Sequence, residues 1–205
     1  MAKTQNLLHS INPNPIKKAL NEVNLDKISY LDSLQIEHLI LEKELVGFSM
    51  PSEWKNENDI SWLEPGAEWV RDNKPKNRKN VICHCDFHPF NIIEKSGRVE
   101  AVIDWQLCRL NEVEFDIAST LHILLMVWPS LGVNIESCSD LADKYLGMYK
   151  IKNEINEDKL DYHLGVRCIL GFCGMELGFD VFRRPGVYER QVKKFDEISG
   201  IKLKK

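Results

Sequence analysis

Glycine is scarce in the first eighty residues of the chain, where only Gly47 and Gly66 precede Val81. A loop that wraps around phosphate groups needs several closely spaced glycines, because the backbone must approach the ligand without a side chain in the way. This region therefore contains no glycine-rich phosphate loop. It also contains no lysine within an apolar strand, since Lys43, in the segment LEKEL, is predicted on the exposed face of a helix.

Other absences exclude further classes of protein. No apolar run approaches the ~18 residues of a membrane span, and the N-terminus has no signal-peptide-like hydrophobic segment. The six cysteines are scattered without a disulfide framework, which is typical of reduced thiols in a cytoplasmic protein. The net charge of −4 argues against nucleic acid or an anionic membrane as a partner. The basic segment 74–79 has no basic face around it, so we interpret it as a solvated loop.

The most informative stretch runs from residue 81 to residue 104 and reads VICHCDFHPFNIIEKSGRVEAVID. Its apolar runs 81–83, 91–93 and 99–103 are rich in β-branched residues and are separated by polar segments, which predicts three short strands in one small sheet. A turn is predicted at residues 95–97, where Ser96-Gly97 separates two of the runs. The polar side chains between the strands are therefore expected on or beside this sheet.

The spacing of those polar residues indicates a specific chemistry. His84-x-Asp86 is followed five residues later by Asn91, and Asp104 lies thirteen residues beyond Asn91. Kinase catalytic loops use H-x-D-x-x-x-x-N followed by a second aspartate. In that arrangement the first aspartate accepts the proton of the attacking hydroxyl, while the asparagine and the second aspartate hold Mg²⁺ against nucleotide phosphates.

The segments HCDFHPFNII, VIDW and FDIA together resemble the aminoglycoside phosphotransferase and choline kinase-like family, whose members typically read HGDxHPGNIL, VIDW and a later DLA. The resemblance implies that Asp86 is the catalytic base and that Asn91 and Asp104 are metal ligands and bind the nucleotide through the metal. It also implies that His84 braces the catalytic loop and that Asp116 anchors the following helix to it.

Two positions depart from the family pattern. Cys85 and Phe90 stand where glycine is common, and residues with a side chain adopt positive φ only at a steric cost. We therefore expect a loop that is strained or slightly different in shape. His88 is expected either near the acceptor substrate or packed against the loop.

The fold implied by the resemblance is α+β and mainly helical, namely the C-terminal lobe of a protein kinase-like fold. We expect a single domain over 1–205, with a helical part at 1–80, the catalytic loop and metal-binding hairpin at 81–104, and C-terminal helices at 105–205. The N-terminal β lobe is expected to be missing. One helix is predicted to end before Asn12-Pro13. Further helices are predicted at 16–23, 33–45, 64–72 (starting at Glu64 or Gly66), 112–128 (ended by Pro129), 139–152 (capped by Ser139), 158–179 and 188–198.

The function implied by the resemblance is a phosphotransferase, or kinase, that uses Mg²⁺ and ATP or another nucleoside triphosphate to phosphorylate a small-molecule hydroxyl. Without a glycine-rich loop and a strand lysine, we expect an impaired enzyme unless a separately encoded N-terminal lobe supplies them. The alternative is a truncated, non-catalytic family member that binds a small molecule or a protein. Nothing in the sequence separates an aminoglycoside from choline, a sugar or another hydroxyl acceptor.

Two other interpretations of the motif remain. His84 and Asp86 could form a structural pair, with Asn91 as a turn residue. Alternatively, the cysteine and histidine residues crowded at 83, 84, 85 and 88 could bind zinc. A second ligand pair at suitable spacing does not follow them, so the zinc interpretation is the weaker one.

Overall fold

The computed structural model describes residues 1–15, 61–76, 79 and 81–205. In these residues the chain is mainly helical, with small antiparallel sheets. The helices are α1 Ala2–Ser10, α2 Glu64–Asp72, α3 Val113–His122, α4 Ile135–Lys150, α5 Glu157–Leu177, α6 Asp180–Arg183 and α7 Val187–Ser199. The strands are β1 Val81–Cys83, β2 Ile92–Lys95, β3 Arg98–Val102 and β4 Arg109–Asn111.

The helix predicted to end before Asn12 is confirmed as α1, and the backbone turns to an extended conformation at Ile11. Helix α2 matches the prediction for 64–72, and α5 and α7 lie within two residues of their predicted bounds. The helices predicted at 16–23 and 33–45 lie outside the described residues.

The helix predicted over 112–128 is more varied in structure than the sequence pattern suggests. The regular helix α3 ends at His122 and continues as a π turn over Ile123–Val127 and a 3₁₀ turn over Trp128–Leu131. Pro129 lies inside the 3₁₀ turn, so the prediction that it ends the helix is wrong. Proline cannot donate the backbone hydrogen bond of a regular helix, but the first positions of a helical turn need no such donor.

The predicted cap of α4 is also wrong. The helix begins at Ile135 rather than at Ser139, because the side-chain oxygen of Asn134 accepts a hydrogen bond of 3.0 Å from the backbone nitrogen of Ser137. Asparagine is among the best N-cap residues. Asn156 caps α5 in the same way, with a bond of 3.0 Å from the nitrogen of Lys159.

The strands form two separate pairs rather than the single sheet that was predicted. Strand β2 pairs with β3, and β1 pairs with β4, which the sequence analysis did not predict. The β4 segment, Arg-Leu-Asn, is short and has no β-branched residue, so its strand character comes from pairing with β1 alone. The predicted turn between β2 and β3 is confirmed, with left-handed backbone at Ser96 (φ 52°) and Gly97 (φ 79°), the combination that favours tight hairpins.

Helix α5 lies between two apolar cores. Leu160 and Leu164 pack with residues of α3 and α4, whereas Val166, Ile169 and Phe172 pack with residues of α2, β1 and α7. A helix that is apolar on most of its surface is typically buried on several sides.

The glycines of α5 allow close contacts with its neighbours. A Cβ added at Gly171 would lie 1.8 Å from the side chain of Gln191, and one added at Gly174 would lie 2.5 Å from Phe182. These glycines therefore serve helix packing. Among the described helices, none combines the length and apolar character needed to cross a membrane.

Candidate active site

The loop that joins β1 to β2 begins with a strained residue. Cys85 has a left-handed backbone (φ 67°) and a fully buried side chain, so the strain expected from its substitution for glycine is confirmed. Its backbone nitrogen donates a hydrogen bond of 2.6 Å to Oδ1 of Asp116. Phe90 lies in a 3₁₀ turn (Pro89–Asn91) outside the left-handed region and is 68% exposed, so the backbone strain of the loop is found at Cys85 and not at Phe90.

Asp116 connects three parts of the fold. Its carboxylate is fully buried, and Oδ2 accepts hydrogen bonds from Nε2 of Gln5 (2.7 Å) and Nε2 of His9 (2.9 Å), both on α1. Burial raises the pKa of Asp116, but the hydrogen bonds from His9, Gln5 and the Cys85 amide outweigh this effect, so the pKa lies below its usual value. The ionised carboxylate on α3 therefore holds both α1 and the start of the loop.

His84 links the two halves of the motif. Its ring is fully buried, and Nε2 donates a hydrogen bond of 2.9 Å to the backbone carbonyl of Ile103. Nδ1 accepts a bond of 3.3 Å from the backbone nitrogen of Asp86. Because Ile103 directly precedes Asp104, the histidine ties the segment carrying one aspartate to the segment carrying the other.

The hairpin of β2 and β3 returns the chain to the loop. The backbone nitrogen of Ile103 donates a hydrogen bond of 2.9 Å to the carbonyl of Asn91. Asp104, the next residue, has a left-handed backbone (φ 62°) and an exposed side chain. The chain thus places the backbones of Asn91 and Asp104 beside each other, although thirteen residues separate them in the sequence.

Asp86 is held by its neighbours in the loop. Nδ2 of Asn91 donates hydrogen bonds of 2.9 Å to the backbone carbonyl of Asp86 and of 2.9 Å to its Oδ2, and Nε2 of His88 lies 3.4 Å from its Oδ1. Burial raises the pKa of Asp86, but His88, the positive charge of Arg167 and the bond from Asn91 together bring it below its usual value. The carboxylate is therefore ionised and available as a proton acceptor at neutral pH.

A cavity of about 310 Å³ opens in front of this loop. Both Asp86 and Asp104 line it, whereas Asn91 is buried, is hydrogen-bonded to Asp86 and is not part of the wall. The polar residues of the wall are Asp86, His88, Asp104, Gln106, His122 and Arg167. The structure therefore places two of the three predicted oxygen-bearing residues on one cavity and bonds the third to Asp86.

The comparison with known families agrees with this geometry. The model of the phosphotransferase enzyme family matches residues 2–151, nearly three quarters of the chain. The chain belongs to the phosphotransferase enzyme family. The match covers α1, the loop and α4, and it agrees with the resemblance to aminoglycoside phosphotransferases and choline kinases seen in the motifs. No curated protein matches the sequence.

Part of the cavity of this phosphotransferase-family chain lies beyond the matched residues. Arg167 on α5 and the segment 179–182 belong to the wall but follow residue 151. Sequence reasoning missed Arg167, although a single cation inside the long apolar run of α5 was a usable signal, because arginine is seldom buried without a partner. It also missed Gln5 and His9, whose spacing of four residues on α1 puts them on one helix face.

A buried group of His9, Cys83 and Asp116 has ligand atoms within 4.8 Å of one another. Asp116 already accepts three hydrogen bonds from protein groups, and the thiol of Cys83 donates to the carbonyl of Glu112 at 3.4 Å. Burial raises the pKa of Cys83 well above its usual value, which keeps it a neutral thiol. We therefore regard this group as structural.

The zinc alternative is not supported. Among the described residues, the group that could hold a metal ion contains Cys83 but none of the other three residues considered for zinc. The partners of Cys83 in that group are His9 and Asp116. Both ring nitrogens of His84 are used in hydrogen bonds to the backbone.

Proposed function

We propose that this chain binds Mg²⁺ with ATP, or another nucleoside triphosphate, and transfers the γ-phosphate to a hydroxyl group of a small molecule. The observation that carries the proposal is the convergence of Asp86 and Asp104 on one cavity of about 310 Å³. They lie eighteen residues apart (104 − 86), and Asn91 is hydrogen-bonded directly to Asp86. Membership of a phosphotransferase family supports the same reaction class.

The residues of the site fit a magnesium ion. The nitrogen of Asn91 is used by Asp86, which leaves the amide oxygen available, and Asp104 offers an exposed carboxylate at the cavity. Mg²⁺ prefers such hard oxygen ligands, commonly one or two carboxylates and several waters. Bound there, Mg²⁺ would neutralise charge on the phosphate oxygens.

Asp86 is the proposed catalytic base. Its carboxylate is ionised, lines the cavity and is oriented by Asn91 and His88. It can therefore accept the proton of a hydroxyl group that enters the cavity. His84 and Asp116 are proposed positioning residues, because His84 supports both aspartate segments and Asp116 holds the loop at Cys85. His88 contacts Asp86 and also lines the cavity, which supports a proposed place beside the acceptor as well as in the loop.

The rate of the chain by itself is expected to be low. Phosphoryl transfer depends mainly on positioning and on neutralising charge, and the described active-site residues supply no glycine-rich loop. We therefore expect weak nucleotide binding and slow turnover by this chain, with faster turnover when such a loop is provided by another polypeptide.

The metal site is tested by nucleotide-dependent thermal stabilisation. Mg²⁺-ATP should raise the melting temperature of the wild type, and Asp104→Ala should abolish the increase because a proposed ligand is lost. Glu100→Ala is the matched control, since Glu100 is an exposed acid on β3 of the same hairpin. An increase that is equal in Asp104→Ala and wild type would disprove the assignment. No increase in the wild type would favour a non-catalytic binding module.

The base is tested with Asp86→Asn, which keeps the size of the side chain but removes the proton acceptor. Phosphate transfer to an acceptor should fall by about 10²–10⁴-fold, the usual contribution of general acid-base catalysis. Nucleotide binding should change little. Turnover in this variant at the wild-type rate would exclude Asp86 as the base.

A further inference from the structure

Arg167 lies in an unusual position on α5. The residue is only 6% exposed, and its Nε has no hydrogen-bond partner. Within the part of the chain that the structure describes, no carboxylate forms an ion pair with it. The guanidinium lies 6.0 Å from the centre of the Phe115 ring. The charge of Arg167 acts on the carboxylate of Asp86 through space, but no described carboxylate accepts a hydrogen bond from the guanidinium. Buried donors without an acceptor are costly, so a ligand group that accepts from the guanidinium is expected when the site is occupied.

The guanidinium belongs to the wall of the cavity that holds Asp86 and Asp104. The other basic group contributed by the helices is His122, which is buried. Burial, and to a lesser extent the charge of Arg167, lowers the pKa of His122 to about 3, although the hydrogen bond to Gln191 opposes this. His122 is therefore neutral, and Arg167 carries the positive charge of this helical wall.

His122 adds a hydrogen-bond acceptor to the same wall. Its Nε2 donates to Oε1 of Gln191 at 2.8 Å, which leaves Nδ1 unprotonated. Nδ1 is buried and has no partner among the described residues. A ligand hydroxyl or amine hydrogen could donate to it. The wall thus offers one strong cation and one neutral acceptor.

Apart from the six polar residues named above, the wall is apolar. The ring of Phe182 packs directly against Gly174, where an added Cβ would lie 2.5 Å from the ring. The absence of a side chain at Gly174 therefore allows Phe182 to line the cavity. The volume of about 310 Å³ is at the lower end of the range for small-molecule sites. The apolar residues are Leu107, Ile123, Val127, Phe179, Val181 and Phe182.

We propose that Arg167 binds the carboxylate of the acceptor, so that the substrate is a small hydroxy acid with an apolar body. Its hydroxyl would face Asp86. In the reaction the hydroxyl oxygen bonds to the γ-phosphorus while the bond from that phosphorus to the bridging oxygen breaks. The hydroxyl proton passes to Asp86 and the nucleoside diphosphate leaves. This inference rests on the proposed function for its reaction but concerns a separate part of the cavity.

The chemistry of Arg167 favours this class of acceptor over others. A guanidinium binds a carboxylate through two parallel hydrogen bonds, a geometry that a single charge does not provide. A cationic acceptor would be attracted by Asp86 and Asp104 but would leave the donors of the guanidinium without an acceptor. A neutral acceptor would offer the guanidinium a weaker hydrogen bond than a carboxylate does.

The test measures binding of matched ligand pairs to the full chain. The probes are 4-hydroxybutyrate and 4-(hydroxymethyl)benzoate, each compared with its primary amide by isothermal titration calorimetry or ligand-observed NMR. The wild type should bind each acid at least about tenfold more tightly than the amide, as expected for a charge-assisted hydrogen-bonded pair. Arg167→Gln should remove this preference without weakening amide binding.

Arg109→Gln is the matched control. The Arg109 guanidinium lies 5.5 Å from the same Phe115 ring, but Arg109 is not part of the cavity wall. This variant should keep the preference for acids. Arg167→Lys provides a second variant that retains the buried charge, and it should show a reduced preference because lysine lacks the two-pronged geometry.

Three binding results would overturn the proposal. They are equal binding of acid and amide by the wild type, equal weakening of both by Arg167→Gln, and tighter binding of choline than of the acids. A loss of turnover in Arg167→Gln with unchanged acid binding would assign the guanidinium to the transferred phosphate and would also overturn it. The two proposals can fail separately. If Arg167→Gln removes acid binding but Asp104→Ala leaves the stabilisation by Mg²⁺-ATP unchanged, the subsite is supported and the proposed function is disproved.

Discussion

Glycine should be more favourable than alanine at position 85, the reverse of the usual order. Cys85 and Cys83 are both fully buried and are separated by one residue. Cys83 lies in strand β1, whereas Cys85 has φ 67°. Each cysteine can be replaced by glycine and by alanine, and Cys83 then serves as the matched control for Cys85.

The expected magnitude follows from two opposing effects. A residue with a Cβ costs about 1–2 kcal/mol in the left-handed region, whereas glycine loses about 0.5–1 kcal/mol more backbone entropy than alanine on folding. Cys85→Gly should therefore be more stable than Cys85→Ala by about 0.5–1 kcal/mol. At Cys83, alanine should be favoured over glycine by a similar amount. The entropy contribution cancels between the two positions, so the difference between the two comparisons should be about 1–2 kcal/mol.

Urea denaturation of the four variants, followed by circular dichroism, gives the free energies of unfolding. Comparing glycine with alanine at one position removes the effect of losing the buried thiol, because both variants lack it. Alanine more stable than glycine at both positions would refute the argument that Cys85 holds a strained turn.

Three further predictions test other parts of the structure. Asp116→Ala should destabilise the fold by about 3–5 kcal/mol, because several buried donors lose a charged acceptor, as measured by urea denaturation. Hydrogen bonds from His163 and Lys159 outweigh the effect of burial and lower the pKa of Glu112 to about 2. Ionised Glu112 should therefore contribute roughly 3 kcal/mol to the free energy of unfolding at neutral pH. That contribution should fall away as the pH decreases from about 4.5 towards 2, since the unfolded state takes up the proton first, and Glu112→Gln should lack this pH dependence. Gly171→Ala should destabilise the fold by about 1–3 kcal/mol, because the added methyl group clashes with a buried side chain. Gly147 has open space around it, so Gly147→Ala should stabilise α4 by about 0.5–1 kcal/mol. Equal effects of these two substitutions in thermal unfolding would contradict the packing described for α5.

The local order of residues determined much of the candidate site. His84, Asp86 and Asn91 lie within eight residues, so one loop can hold them together. The tight turn after β2 brings Asp104 back beside Asn91 because the hairpin pairs neighbouring segments. These relations depend on short chain distances and on turn geometry, which the sequence pattern expresses directly. The positive φ of Cys85 follows instead from the family resemblance, because glycine is common at that position in the family pattern.

Tertiary packing decided what the rest of the chain contributes. Gln5 and His9 reach Asp116 across more than a hundred residues of sequence, and Arg167 reaches the cavity only because α5 is enclosed by two apolar cores. Helical periodicity predicts that such helices exist, but many pairings of apolar faces would bury similar area, since the hydrophobic effect has no direction. The arrangement of these helices, which close-packed side chains select, therefore decides which distant side chains complete the site.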